Sequence, residues 1–171
     1  MTYNLNLRAV EPSDLDFLYM LESAEGCADA SLNSAPVSRQ LLWEYIQSYT
    51  ADIFADGQLR LIIEADEDGQ KHRVGTIDIS DFEPLNRRGF AGIIIAPEYR
   101  RRGYARTALT QLCDYASTTL GMHQLAAVVA VDNAPSIALF KSCGFKGTGR
   151  LRSWIRRGRT YADALIFQRL F

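Results

Sequence analysis

The chain has 171 residues, of which 47% are hydrophobic and 23% charged, and its formal net charge is −1 at pH 7. That balance belongs to a soluble globular protein, and the length suits one domain over 1–171 with a substantial single core. Near-neutral charge excludes a broad electrostatic footprint for nucleic acid, and no apolar run approaches the ~20 residues of a membrane helix.

Residues 1–8 lack the basic start and apolar core of a signal peptide. Cys27, Cys113 and Cys143 are widely spaced, form no metal pattern and make a poor disulfide framework, so a reducing cytoplasm is the expected setting.

Leu5, Leu7 and Ala9 alternate with polar residues, which predicts a first strand over 3–9. Glu11-Pro12-Ser13-Asp14 then reads as a helix start, and Leu15, Leu18, Tyr19 and Leu21 give that helix an apolar face ending near Ser23. The segment 25–36 has no period and predicts a mobile loop. Helix signals return at Ser38 and run to about Phe54 through Leu41, Leu42, Tyr45 and Ile46, with Trp43 expected in the core.

Asp56-Gly57 turns the chain into a run of strands over 59–65, 74–82 and 88–96, separated by the acidic tip 66–70 and the turn 83–86. This pattern predicts an antiparallel meander. A helix follows over 103–120, then an apolar strand at 124–131. Asp132-Asn133-Ala134-Pro135-Ser136 opens a short helix closed by Gly144. Two last strands, about 145–156 and 160–170, form a hairpin turning at Arg157-Gly158-Arg159.

The order is therefore β α α β β β α β α β β. Strand 88–96, helix 103–120 and strand 124–131 form one βαβ crossover with parallel strands, and the remainder is antiparallel. The fold class is α+β, with a mixed, mostly antiparallel sheet. Ligands are expected near the carboxyl ends of the parallel strands.

The stretch from Gly92 to Ala105 organises the rest. Ile93-Ile94-Ile95 suits a strand buried on both faces, and Pro97 stops it. A basic turn with Gly103 then opens the long helix, where free backbone N–H groups and a positive helix dipole meet. Such a corner holds a phosphate; it is also compatible with a plain strand–loop–helix turn carrying solvated arginines. It is neither a Walker loop nor a dinucleotide fingerprint, since neither set of companion residues is present.

Arg100-x-x-Gly103-x-Ala105 resembles the Gln/Arg-x-x-Gly-x-Gly/Ala signature of the GNAT superfamily of acetyl-CoA-dependent N-acetyltransferases. The second block of that family is similar to Asn133-x-x-Ser136-x-x-Leu139-Phe140-x-x-x-Gly144-Phe145. The element order resembles the family's over nearly the whole chain. Within the superfamily, the blocks look most like bacterial acetyltransferases of polyamines such as spermidine and of ribosomal-protein N-termini. The polyamine enzymes usually carry acids between the first two helices, whereas residues 30–35 here are neutral.

The resemblance implies a direct transfer from acetyl-CoA to a primary amine, on a small molecule or a peptide, with no metal. It implies that backbone groups of Ile93, Ile94 and Ile95 hold the pantetheine arm as if it were another strand. The turn of Arg100, Arg101, Arg102, Gly103, Tyr104, Ala105 and Arg106 would receive the pyrophosphate, with Asn133 and Ser136 joining the cofactor set. A side chain at Gly103 would keep the backbone from the phosphates. A homodimer is expected.

Catalysis requires the amine to lose a proton, because an ammonium near pKa ~10 is almost fully protonated at neutral pH. Asp78, Asp81 and Glu83 are the nearest carboxylates in sequence to the central strand, with Asp78 and Glu83 the candidates to bind or deprotonate the amine, while Gly89-Phe90-Ala91 stands where related polyamine enzymes often have a glutamate. Strand alternation puts Asp78 and Ser80 on one face and Ile77 and Ile79 on the other.

In much of the family a tyrosine protonates the departing thiolate; here that position is Phe140, with Tyr104, Cys143 and Tyr161 as substitutes that spacing does not single out. Trp154 and Tyr161 lie on the terminal hairpin, which in this fold can wall the acceptor site. The arginines at 150, 152, 156, 157 and 159 guard an edge strand or meet an acidic peptide or a second subunit. The competing reading is a non-catalytic acyl-CoA-binding regulatory module of the same fold.

Overall fold

Alternating apolar residues and turn chemistry place seven strands in one sheet with the order β1-β2-β3-β4-β5-β7-β6. The computed structural model describes residues 4–23 and 37–171, so the predicted loop 25–36, with Cys27 and its neutral stretch, lies outside the described residues. The strands are β1 (Asn4–Ala9), β2 (Leu59–Glu67), β3 (Gln70–Glu83), β4 (Arg88–Ile95), β5 (Gln124–Ala130), β6 (Lys146–Arg157) and β7 (Thr160–Leu170). The helices are α1 (Leu15–Ser23), α2 (Arg39–Ser48), α3 (Ile53–Asp56), α4 (Tyr104–Thr118) and α5 (Ala134–Ser142). Every strand pair is antiparallel except β4 with β5, the expected crossover around α4.

Period-2 alternation gives the sheet two apolar faces. Ile63, Ile77, Ile79, Ala91, Leu125 and Phe167 pack on one side with Leu109 and Leu112 of α4 and Phe140 of α5. Ile62 and Ala96 pack on the other with Leu18 and Leu21 of α1 and Leu42 and Ile46 of α2. Helices thus cover both faces, and no described helix is long and apolar enough to cross a membrane.

Residues 38–54 do not form the one helix that periodicity predicts. Ser38 caps α2 by accepting from the Leu41 N–H, and the helix ends when Tyr49 turns extended. Ala51 takes a positive φ of 58°, and Asp52 caps the separate α3 through the Phe54 N–H. Local Asp and Thr hydrogen bonding competes here with helix continuation. Trp43 is also corrected: Leu42 and Ile46 face the sheet, which leaves Trp43 44% exposed.

A buried carboxylate ties β1 to α1. Asp14 accepts from both Arg8 Nη1 and Nη2, at 2.7 and 2.9 Å, and from the Glu11 N–H at 2.9 Å. Burial pushes its pKa up, but the hydrogen bonds from Arg8 and Glu11 outweigh that and hold it below the ordinary value. At the far edge of the sheet, β6 carries the arginine series, and Arg150 Nε pairs with Asp163 of β7 at 2.7 Å.

Candidate active site

The site begins where β4 and β5 part. Their parallel register covers Arg88↔Gln124, Gly89↔Leu125 and Phe90↔Ala126. β4 then continues to Ile95 along β3, while β5 stays paired with β7 to Ala130. From Ala91 onward β4 therefore borders a wedge instead of a strand. The Ala96 N–H donates to Val74 O of β3 at 2.9 Å. By strand alternation, the N–H groups of Ile93 and Ile95 point the opposite way, into the wedge.

The wedge leads to the basic turn. After the short 3₁₀ turn Pro97–Tyr99, Arg100 folds back and its Nε donates to Ile95 O at 3.0 Å. Arg101 and Gly103 have positive φ of 64° and 89°. Gly103 is the N-cap of α4 and offers no side chain to its first turn. The backbone donors of Tyr104 and Ala105 thus lie at the positive end of a long helix, an anion-binding geometry. Arg101 and Arg106 are exposed, and neither makes an ion pair among the described residues. Arg102 is held by Glu98 O at 3.1 Å and approaches Glu67 at 3.6 Å.

The second block packs beside this turn. Asn133 Oδ1 accepts the Ser136 N–H at 3.1 Å and so caps α5. At the other end of α5, Cys143 Sγ lies 3.8 Å from Arg106 O and 4.0 Å from Thr110 Oγ1, which docks α5 on the start of α4. Cys143 is therefore a buried packing residue. Tyr104 is buried, and its hydroxyl donates to Glu67 of β2. Burial and then that bond push its pKa up, so its backbone faces the turn while its phenol is engaged elsewhere.

Phe140 lies in the core, with ring centroids 5.1 Å from Phe145 and 6.5 Å from Phe167. No proton can come from it. Glu83, the other candidate carboxylate, is engaged within its own turn. It sits in the β3–β4 turn, where Asn86 Nδ2 donates at 2.7 and 2.9 Å and Arg88 Nε lies 2.9 Å away. The Asn86 hydrogen bonds, first of all, hold its pKa low. That turn is at the end of β4 opposite Ile95, about 23 Å along the strand from Ile95 at 3.3 Å per residue.

Asp78 is the carboxylate the fold brings to the wedge. It stands between Arg60 of β2 and Gly92 of β4 in the sheet register. A β-carbon at residue 92 would lie 2.9 and 3.0 Å from its two oxygens. Burial pushes its pKa up, while the positive charge of Arg60 pulls it down and Glu22 pushes it up again.

Four further residues, which sequence reasoning did not place in the site, complete this cluster: Glu22, Tyr45, Tyr49 and Arg60. Arg60 Nη1 donates to Glu22 of α1 at 2.8 Å, and its guanidinium lies 5.5 Å from the Tyr45 ring centroid. Tyr49 hydroxyl accepts from the Arg60 N–H at 2.6 Å. The buried Tyr45 hydroxyl, without a partner among the described residues, has its pKa pushed to about 12 by burial. The signal was present: Arg60 alternates with Leu59 and Leu61 on a face that otherwise carries Ile62.

Residues 4–146 match the model of the acetyltransferase (GNAT) domain. The chain belongs to the GNAT family. This GNAT chain is 31% identical over 151 residues to the spermidine N(1)-acetyltransferase of Vibrio cholerae, covering 88% of this chain and 84% of that protein. It superposes with a TM-score of 0.84 and 30% identity on the crystal structure of the Vibrio cholerae spermidine N-acetyltransferase in complex with CoA and spermine, covering 97% and 95% of the two chains. A dodecameric structure of that enzyme in an intermediate state gives a TM-score of 0.80 at 30% identity, covering 97% and 93%. Of the two groups the sequence resembles, these relatives belong to the polyamine one.

Proposed function

We propose that this GNAT chain works as one domain over 1–171, transferring the acetyl group of acetyl-CoA directly to a primary amine. The observation that carries this reading is the β4–β5 wedge running into the uncapped, glycine-led N-terminus of α4. A wedge bordered by strand donors suits the amide-bearing pantetheine arm. The α4 corner suits a pyrophosphate, and Gly103 removes the side chain that would hold it off.

In this mechanism Ile93 and Ile95 bind the arm through backbone groups. Arg100, Arg101, Arg102, Gly103, Tyr104, Ala105 and Arg106 bind and neutralise the pyrophosphate end, and Asn133 and Ser136 shape the start of α5 beside them. Acetyl-CoA supplies the acetyl thioester and leaves as the thiol. Asp78 receives the acceptor's ammonium and removes its proton. The Ile95 N–H faces the charge that develops on the acyl oxygen. Because Phe140 donates nothing, the departing thiolate takes its proton from solvent or from the amine.

Spermidine, the acceptor named for the relatives, is the reference substrate, and a peptide N-terminus is the second. The chain self-associates in this reading, a homodimer being the smallest assembly, and it acts in the cytoplasm. Thiol release from acetyl-CoA, measured with spermidine, simple monoamines and N-terminal peptides, tests the reading. Amine-dependent release with stoichiometric acetylated amine supports it. Tight CoA binding without turnover of any amine leaves the regulatory module as the better account.

A further inference from the structure

We infer that the Tyr45 hydroxyl binds the acceptor, its oxygen accepting one N–H of the ammonium whose charge Asp78 meets. The inference rests on the acetyl-transfer reading above and adds a second anchor for the same nitrogen.

Tyr45 stands on the side of the sheet that carries Asp78. In β2, alternation puts Arg60 on the face of Ile62, and Ile62 packs under α1 and α2 together with Ile94 of β4. Gly92 shares the Ile94 face, and Asp78 is its cross-strand partner. Tyr45 comes down from α2, one residue before the buried Ile46, and packs against the same group. The Arg60 guanidinium lies 5.5 Å from its ring centroid, and Arg60 is the cross-strand neighbour of Asp78 on the other strand. The phenol therefore covers this row from the helix side, while Asp78 belongs to the floor.

Two tyrosines one turn apart on α2 are stacked, with ring centroids 5.4 Å apart, but their hydroxyls are used differently. Tyr49 accepts from the Arg60 N–H at 2.6 Å and donates to Arg60 O at 3.3 Å, so it is spent on the backbone. The Tyr45 hydroxyl is buried and has no partner among the described residues. The other buried side-chain atom in that condition is Arg60 Nε, in the same cluster. A buried polar group left unmet is costly, and phenylalanine would pack at residue 45 without it. Two such atoms beside one carboxylate mark a place that a ligand completes.

Hydrogen-bond chemistry assigns the partner. Arg60 Nε can only donate, and so can an ammonium, so those two do not meet. A phenol oxygen accepts as well as donates. Burial, first of all, pushes the Tyr45 pKa to about 12; Arg60 pulls it down, and the charges of Tyr49, Asp78 and Glu22 add to the rise. The hydroxyl thus keeps its proton at neutral pH and lies within electrostatic reach of Asp78. A primary ammonium offers three N–H groups. Asp78 takes one as an ion pair and Tyr45 Oη takes another, which fixes the nitrogen in two directions. When a proton passes from nitrogen to the Asp78 carboxylate, the bond to Tyr45 keeps the amine in place. The freed lone pair then meets the thioester carbon.

The test measures kcat/KM for spermidine, hexylamine and an N-terminal peptide, the KM for acetyl-CoA and the melting temperature. The full chain is compared as wild type, Tyr45→Phe, Asp78→Asn and the double variant. Tyr45→Phe is expected to lower kcat/KM for the amines turned over by about tenfold or more. The KM for acetyl-CoA should hold, and the melting temperature should hold or rise, because the substitution deletes an unmet polar atom. Made on top of Asp78→Asn, the same change should cost less than about threefold, since the two groups share one ligand. Unchanged kcat/KM in Tyr45→Phe, a loss matched by a lower melting temperature or a higher KM for acetyl-CoA, or the same factor in both backgrounds overturns the inference and leaves acetyl transfer standing. No turnover of any amine by the wild type overturns the acetyl-transfer reading itself, and this inference with it.

Discussion

Asp78 lies directly over Gly92, so closely that a single β-carbon at residue 92 would meet its carboxylate oxygens at 2.9 and 3.0 Å. The contact is with the end of a mobile side chain, so Gly92→Ala should fold while displacing the carboxylate from the wedge. A small displacement of a positioned group costs about 10²-fold. Steady-state kinetics should show kcat/KM for the amine falling by about that factor in both Gly92→Ala and Asp78→Ala, with the KM for acetyl-CoA little changed. Wild-type kcat/KM in Asp78→Ala would remove this carboxylate from the mechanism.

The pH profile follows from the neighbours of Asp78. It acts only when ionised, so kcat/KM rises with pH through its pKa, which burial holds above the ordinary value. Arg60 lowers that pKa and Glu22 raises it. Arg60→Met should therefore move the acid limb to higher pH, and Glu22→Gln should move it to lower pH, while Arg60→Lys keeps it near the wild type. Identical acid limbs in all four proteins would show that a different group titrates.

Phe140 separates packing from proton donation. Its ring packs between Phe145 and Phe167, so Phe140→Leu should lower the melting temperature, at a cost of about 1 kcal/mol. The basic limb of kcat against pH should not move, because the residue carries no proton. A kcat loss far beyond the loss of folded protein would mean that the ring itself touches the reacting groups.

Stability in acid should depend on Arg8 and Asp14. The folded Asp14 pKa is lowered, so its contribution is present above the unfolded value and is lost as pH falls through the folded one. That places the loss below about pH 4. Asp14→Asn should flatten the decline of melting temperature in that range. Arg8→Ala strands a buried carboxylate and should cost about 3–5 kcal/mol near neutral pH, read by urea denaturation.

The strands were legible because alternation and turn residues act locally: Leu5, Leu7 and Ala9, the 66–70 tip and Pro97 each announce themselves within a few residues. The starts of α4 and α5 were legible for the same reason, since Gly103 and Asn133 perform their capping roles within one turn. The 49–52 break was hidden because Tyr49 leaves the helix to bond the Arg60 backbone, a contact between elements. Glu83 looked as available as Asp78 in sequence, because only the folded turn brings Asn86 and Arg88 onto it. The parting of β4 from β5 and the Glu22–Arg60–Asp78 row depend on how helices and strands stack, and no local pattern encodes that.

The central claim is that the β4–β5 wedge and the α4 corner hold acetyl-CoA. Amide hydrogen exchange of the full chain, with and without CoA, tests it residue by residue. Added protection is expected at the N–H groups of Ile93, Ile95, Gly103, Tyr104 and Ala105, and loss of that protection in Gly103→Val, whose side chain and left-handed backbone obstruct the corner. CoA binding that leaves these amides unchanged and protects another part of the chain would contradict it.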